Sequence, residues 1–234
     1  MEKIHKQPYF YFTIALLIAV VGFWPSFFSK IGSTDVAHLI HGFSATAWMA
    51  IPILQAWLIS CRRYRQHKQV GRAALLLVPV VFVSGMYMIQ LMIRGAQENQ
   101  ELLILKLAFL DIAVMILFVV FVALAIWSIR NNDMESHARY LAASVLFALE
   151  PALERVFASY VPGVANFEQA LYLSLISMEV IVAILLFVEW RLGRVRPPFV
   201  ITLLFFTAIH ILATPVAKSV AFKEFANWFA NGFS

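Results

Sequence analysis

The chain has 234 residues, of which 62% are hydrophobic and 13% charged, and its mean hydropathy is +0.82. Soluble domains carry about a quarter charged residues and about half apolar ones, so a water-soluble globule is excluded. The net charge of +5 and the pI near 9.5 do not indicate nucleic acid, because the basic residues crowd into a few connecting segments, as membrane topology demands.

The composition points to an all-α polytopic membrane protein, since backbone groups in lipid must be satisfied within each span. Cutting the chain at its charged and Gly/Pro-rich stretches leaves seven apolar segments at roughly 9–28, 36–60, 72–93, 102–129, 138–161, 168–190 and 198–221. Each is about 20 residues or longer, enough for ~30 Å of hydrocarbon at about 1.5 Å per residue. The expected organisation is a seven-helix bundle over 1–221 and an interfacial tail over 222–234.

In chain order, the first segment follows MEKIHK and has a signal-peptide look, but its length and the lack of an A-x-A site predict an uncleaved span. The second opens as TDVAHLIHGF, with His38 and His41 three residues apart on one helical face. A basic connector, CRRYRQHKQVGR, precedes the third. Lys106 and Asp111 stand early in the fourth. The fifth contains LEPALER, which pairs Glu150 with Glu154 on one face beside Arg155, and Pro151 predicts a kink there. Glu179 falls near the middle of the sixth, and the seventh carries His210 and, near its end, Lys218. Beyond it, Phe222, Phe225, Trp228 and Phe229 recur at helical intervals, predicting an amphipathic helix with its rings among the headgroups. The single cysteine, Cys61, excludes an internal disulfide.

Twelve of the 18 Lys and Arg residues belong to the N-terminus and to the connectors after segments two, four and six. The positive-inside rule therefore predicts a cytoplasmic N-terminus and an extracytoplasmic C-terminus, in a bacterial inner membrane. With that orientation His38, His41, Lys106, Asp111, Glu150, Glu154 and Arg155 all fall in the outer half, and His210 close to it. Structural polar residues have no reason to prefer one leaflet, so this bias is the main functional signal.

Buried charge is tolerated only when partnered or neutralised. Imidazoles and carboxylates around a metal meet that requirement, and His38, His41, Asp111, Glu150, Glu154 and His210 are the expected ligands of Zn, Fe or Mn. An open coordination position would support hydrolysis or oxidation of a hydrophobic or lipidic substrate, with Glu154 as proton acceptor. Arg155 and Lys218 would offset the remaining charge. A second reading is a b-type haem between His41 and His210, with Arg155 or Lys218 at its propionates. A third is a proton-coupled transporter or channel, and a fourth a non-catalytic partner or assembly subunit whose buried ions serve packing. His38 beside Asp35 also suits simple capping of its helix, and Ser84 and Gln90 suit interhelical hydrogen bonds. Retinal proteins are disfavoured because the third segment has no carboxylate. The seven-helix zinc hydrolases carry two histidines four apart on the last helix, where this chain has one.

Overall fold

A computed structural model describes residues 8–232. These are helical throughout, with no strand among them. Lys3 and Lys6, which entered the topology argument, and the last two residues of the aromatic tail lie outside the described residues. The helices are α1 (Pro8–Phe23), α2 (Val36–Ser60), α3 (Tyr64–Ala74), α4 (Leu77–Arg94), α5 (Glu101–Arg130), α6 (Met134–Tyr160), α7 (Phe167–Arg191), α8 (Pro197–Lys218) and α9 (Val220–Asn231), with short 3-10 helices at Phe28–Ser33 and Glu98–Gln100.

Five helical segments are long and apolar enough to cross a membrane: Val36–Ser60, Tyr64–Arg94, Glu98–Arg130, Phe167–Arg191 and Pro197–Lys218. The seven expected segments are all helical, but length and apolarity single out only these five. α1 has 16 residues, about 24 Å of rise. α6 has 27 residues, but Glu135, Arg139, Glu150, Glu154 and Arg155 dilute its apolar character. Two further differences concern the segments outside the spans. The basic connector is itself helical, as α3, and the tail forms the helix expected of it but packs on the protein.

The chain divides into two compact units, each described by itself: Met1–Ser84 with Ser144–Ala170, and Gly85–Ala143 with Leu171–Ser234. In the first, Asp35 caps α2, its carboxylate accepting from the N–H groups of Ala37 and His38, which satisfies donors that have no partner inside the helix. Gly22 on α1 lies against the backbone of Ala152 on α6, the close approach that small residues permit between membrane helices. α3 packs back on α2, where Gly71 faces the Gln55 amide.

In the second unit α5 is the longest helix, at 30 residues, and it packs on α8. Pro197 and Pro198 open α8 at the positions where a missing N–H costs nothing. α9 lies on both: Ala226 joins Leu105 and Ala217, while Phe229 joins Ile89 and Ala108. The Gln90 amide donates to the Phe229 carbonyl at 2.9 Å, and Arg94 Nε to the Ala230 carbonyl at 2.5 Å. The aromatic tail is thus only partly a lipid-facing element: Phe225 and Trp228 are exposed, whereas Ala226, Phe229 and Ala230 are buried.

α2, α5 and α7 close with the same paired hydrogen bonds. Arg63, Asp133 and Arg194 donate to the carbonyls of Leu58, Ser128 and Glu189, and the preceding residues donate one step inside. That closure needs a left-handed residue, supplied by Arg62 (φ 56°), Asn132 (φ 60°) and Gly193 (φ 65°).

Candidate functional site

In the second unit, polar side chains of α5, α7 and α8 meet within segments apolar enough to span. Lys106 Nζ donates to the Tyr172 hydroxyl at 3.1 Å, and that hydroxyl shares a hydrogen bond with Thr214 Oγ1 at 2.9 Å. One turn before Thr214 on α8, His210 Nδ1 lies 3.1 Å from Glu179 Oε1 of α7. The Tyr172 and His210 rings are 5.7 Å apart between centroids, so the two groups of contacts adjoin. Helical spacing explains the convergence: Tyr172 and Glu179 are seven apart and His210 and Thr214 four apart, each pair on one face. Lys106 is buried, while His210 and Glu179 are part-buried. A polar track therefore runs from the end of the unit where α5 and α7 begin and α8 finishes towards the middle of α7.

At the other end of α7, Glu189 is buried and paired with Arg139 of α6 through Nε. Its second carboxylate oxygen accepts from the Arg196 N–H at 3.3 Å, and Glu135 is 3.5 Å from both Arg139 and Arg196. Between Glu179 and Glu189 the helix is apolar for nine residues, and the two carboxylate positions are about 15 Å apart along it.

The first unit holds most of the remaining candidates, while Asp111 and Lys218 lie in the second. His41 Nδ1 on α2 is 3.1 Å from Ser84 Oγ on α4, and Trp48 Nε1 donates to Ser144 Oγ of α6 at 3.2 Å. Glu150 and Glu154, one turn apart on α6, are 1% and 3% exposed. Arg155 is 3.7 Å from Glu154, donates to the Pro151 carbonyl at 2.8 Å, and lies over the Phe23 ring of α1 at 4.5 Å. His38 is exposed and paired with Asp35 at 2.5 Å, the capping arrangement. These hydrogen bonds hold the Asp35 carboxyl below its ordinary pKa, the backbone N–H of His38 contributing most. Asp133, which accepts from the Ser136 N–H at the start of α6, is lowered in the same way.

Of the expected metal ligands, His38, His41, Glu150 and Glu154 belong to the first unit, and Asp111 and His210 to the second. Among the described residues no three His, Cys, Asp or Glu side chains form a group that could hold a metal ion. Lys218 is exposed at the end of α8. Ser84 and Gln90 make interhelical hydrogen bonds, as expected of them. Sequence reasoning did not include Tyr172, Thr214, Arg139 or Glu189 in any site. The seven-residue step from Tyr172 to Glu179 was the available signal.

Compared with protein-family models, curated proteins and solved structures, the chain matches none.

Proposed function

We propose that this is a polytopic membrane protein that translocates protons, as a proton-coupled transporter or channel. Glu179 and His210 would be the exchanging pair, and Thr214, Tyr172 and Lys106 the hydrogen-bonded approach to it. The carrying observation is the 3.1 Å contact between Glu179 and His210, on two helices each apolar enough to span. Ionisable pairs in such segments are costly unless they serve a path or each other, and Asp/Glu/His chains are the common means of proton relay.

The chemistry balances as an imidazole hop. A proton accepted at Nε2 of His210 leaves its Nδ1–H free to pass to the Glu179 carboxylate, giving a neutral acid and the other imidazole tautomer. Release of that proton from Glu179 restores the carboxylate, and a turn of the imidazole ring that brings an N–H back towards Glu179 resets the pair. Beyond Glu179 the apolar stretch of about 15 Å towards Glu189 is a barrier that water or a helix movement must bridge, so the pair faces the Tyr172 end at rest.

In the same reading all seven apolar helices cross, α1 and α6 included. The basic connectors are cytoplasmic, and the Tyr172 end of the track opens to the extracytoplasmic side. The experiment is proton flux into liposomes containing purified protein, followed with an enclosed pH-sensitive dye under an imposed potential. Wild-type flux should fall about tenfold or more in Glu179→Gln and His210→Asn. Flux equal to empty liposomes, or unchanged in both variants, removes the reading.

A metal centre in the first unit is the second reading. It is favoured by two carboxylates buried one turn apart, Glu150 and Glu154, on a helix beside Arg155. The metal would be Zn, Fe or Mn and the substrate hydrophobic. Elemental analysis and an optical spectrum of purified protein test this and the haem alternative together. Stoichiometric metal lost in Glu150→Gln would establish it, and absence of metal and of a haem band would end both.

A further inference from the structure

The segment between α2 and α4, which includes α3, carries five cations that the proton path does not use. Arg62, Arg63, Arg65, Lys68 and Arg72 are all exposed, and no Asp or Glu occurs anywhere between Asp35 and Glu98. Their placement is ordered. On α3, His67, Val70, Gly71 and Ala74 form the inward stripe at i, i+3, i+4 and i+7, with Gly71 against the Gln55 amide. Arg65, Lys68 and Arg72 recur at i, i+3 and i+7 on the opposite face. The segment is tethered at both ends, by α2 finishing at Ser60 and by α4 starting at Leu77, so the stripe is held at the level where a spanning helix emerges.

The flanking residues suit that level. Trp57 and Tyr64 are exposed, and the Arg63 guanidinium lies 5.1 Å from the Trp57 ring centroid. Aromatic rings of this kind mark membrane interfaces. The backbone carries a further sign. Where α5 and α7 close with Asn132 and Gly193 in the left-handed region, α2 closes with Arg62, a residue type that pays a steric penalty there. An arginine at such a position costs stability, so its charge requires another use.

We propose that α3 with Arg62 and Arg63 is a binding site for anionic phospholipid headgroups. The phosphates would lie along the Arg65–Lys68–Arg72 stripe, and Trp57 and Tyr64 would sit beside the acyl boundary. Charge complementarity selects the occupant: a membrane-tethered cationic stripe lacking local carboxylates meets lipid phosphate before any soluble anion.

The test uses full-length protein in mild non-ionic detergent, titrated with phosphatidylglycerol or phosphatidylcholine and read by native mass spectrometry, with inorganic phosphate as competitor. Phosphatidylglycerol should bind at least about tenfold more tightly, and the preference should shrink in about 0.5 M salt. Arg65→Gln/Lys68→Gln/Arg72→Gln should weaken that binding by about a hundredfold. Arg191→Gln/Arg194→Gln, at another basic connector, should weaken it by less than tenfold. Arg62→Gly should lower affinity while raising the melting temperature, which keeps the proposal falsifiable if the triple variant fails to fold. Equal binding of the two lipids, an unaltered triple variant, or an equal loss at Arg191 and Arg194 would each overturn it. So would displacement of the lipid by inorganic phosphate, which would indicate a free-anion site, or phosphatidylglycerol indifference with binding of RNA or an acidic protein. None of these outcomes depends on proton flux.

Discussion

Gly22 of α1 faces the backbone of Ala152 on α6 so closely that an added Cβ would sit 3.1 Å from the Ala152 carbonyl carbon and nearer still to its oxygen. Two effects of Gly22→Ala then oppose each other. Alanine is favoured in a helix by about 1 kcal/mol, whereas a methyl forced against fixed backbone costs about 1–3 kcal/mol. The second should win, and Gly22→Ala should lower the melting temperature in detergent. Gly42→Ala is the matched control. There the added Cβ meets the far end of the Phe27 ring, a side chain and not backbone, so the loss should be smaller. A higher melting temperature for Gly22→Ala would mean that α1 does not pack on α6 in this way.

Arg139 and Glu189 join α6 to α7 with little access to solvent, their side chains 18% and 9% exposed. Removing one partner strands the other in a poorly solvated place. Glu189→Gln should therefore destabilise by about 2–4 kcal/mol, the lower end reflecting the water that still reaches Arg139. Arg139→Met with Glu189→Leu should recover most of that loss, because an apolar pair leaves no charge to desolvate. A double-mutant cycle on thermal unfolding measures the coupling. Additive losses would show that the pair is not an interacting unit.

Asp35 contributes stability through its ionised form, since the α2 N–H groups and His38 favour the carboxylate. A carboxyl lowered in the folded state stabilises above its unfolded pKa, and that contribution is lost as pH falls through the lower folded value. Asp35→Ala should fray the first turn of α2 near neutral pH, read as faster amide exchange over residues 36–40. Asp35→Asn should keep most of the protection and lose its dependence on acid pH, because a neutral amide oxygen can still accept the cap hydrogen bonds. Equal exchange in all three proteins would remove the capping assignment.

The helices were legible wherever apolar runs were long, as in α2, α5, α7 and α8, because lipid leaves few alternatives to a helix. The partner of a polar residue was not. Spacing put Glu150 with Glu154 and His38 with His41, but nothing in one chain says which faces of different helices meet. In sequence His210 therefore groups with Asp111, Glu150 and Glu154 as readily as with Glu179. α3 looks like a loop in the sequence because its inward stripe of His67, Val70, Gly71 and Ala74 is too weakly apolar to stand out among five cations. Arg139 reads in the sequence only as a topology signal, and its buried partner Glu189 leaves no trace there, because a carboxylate near a helix end looks solvated in one dimension.

The aromatic rings of α9 divide by environment, and that division tests how the helix is held. Phe229 is 7% exposed and packs with Ile89 and Ala108, whereas Phe225 is 40% exposed. A helix attached only by lipid would respond alike to the loss of either ring. A docked helix should be released by Phe229→Ala, which removes packing worth about 3–5 kcal/mol, and should tolerate Phe225→Ala. Arg94→Ala should act more weakly, by about 1 kcal/mol, since it removes one donor to the last carbonyls of α9, which have no partner within the helix. Lys223 and Glu101, 3.2 Å apart but with side chains 42% and 55% exposed, should matter least. Hydrogen exchange over residues 220–231 in detergent reads the release locally, without requiring global unfolding. Equal exchange in Phe229→Ala and Phe225→Ala would return α9 to the membrane surface as a purely lipid-bound element.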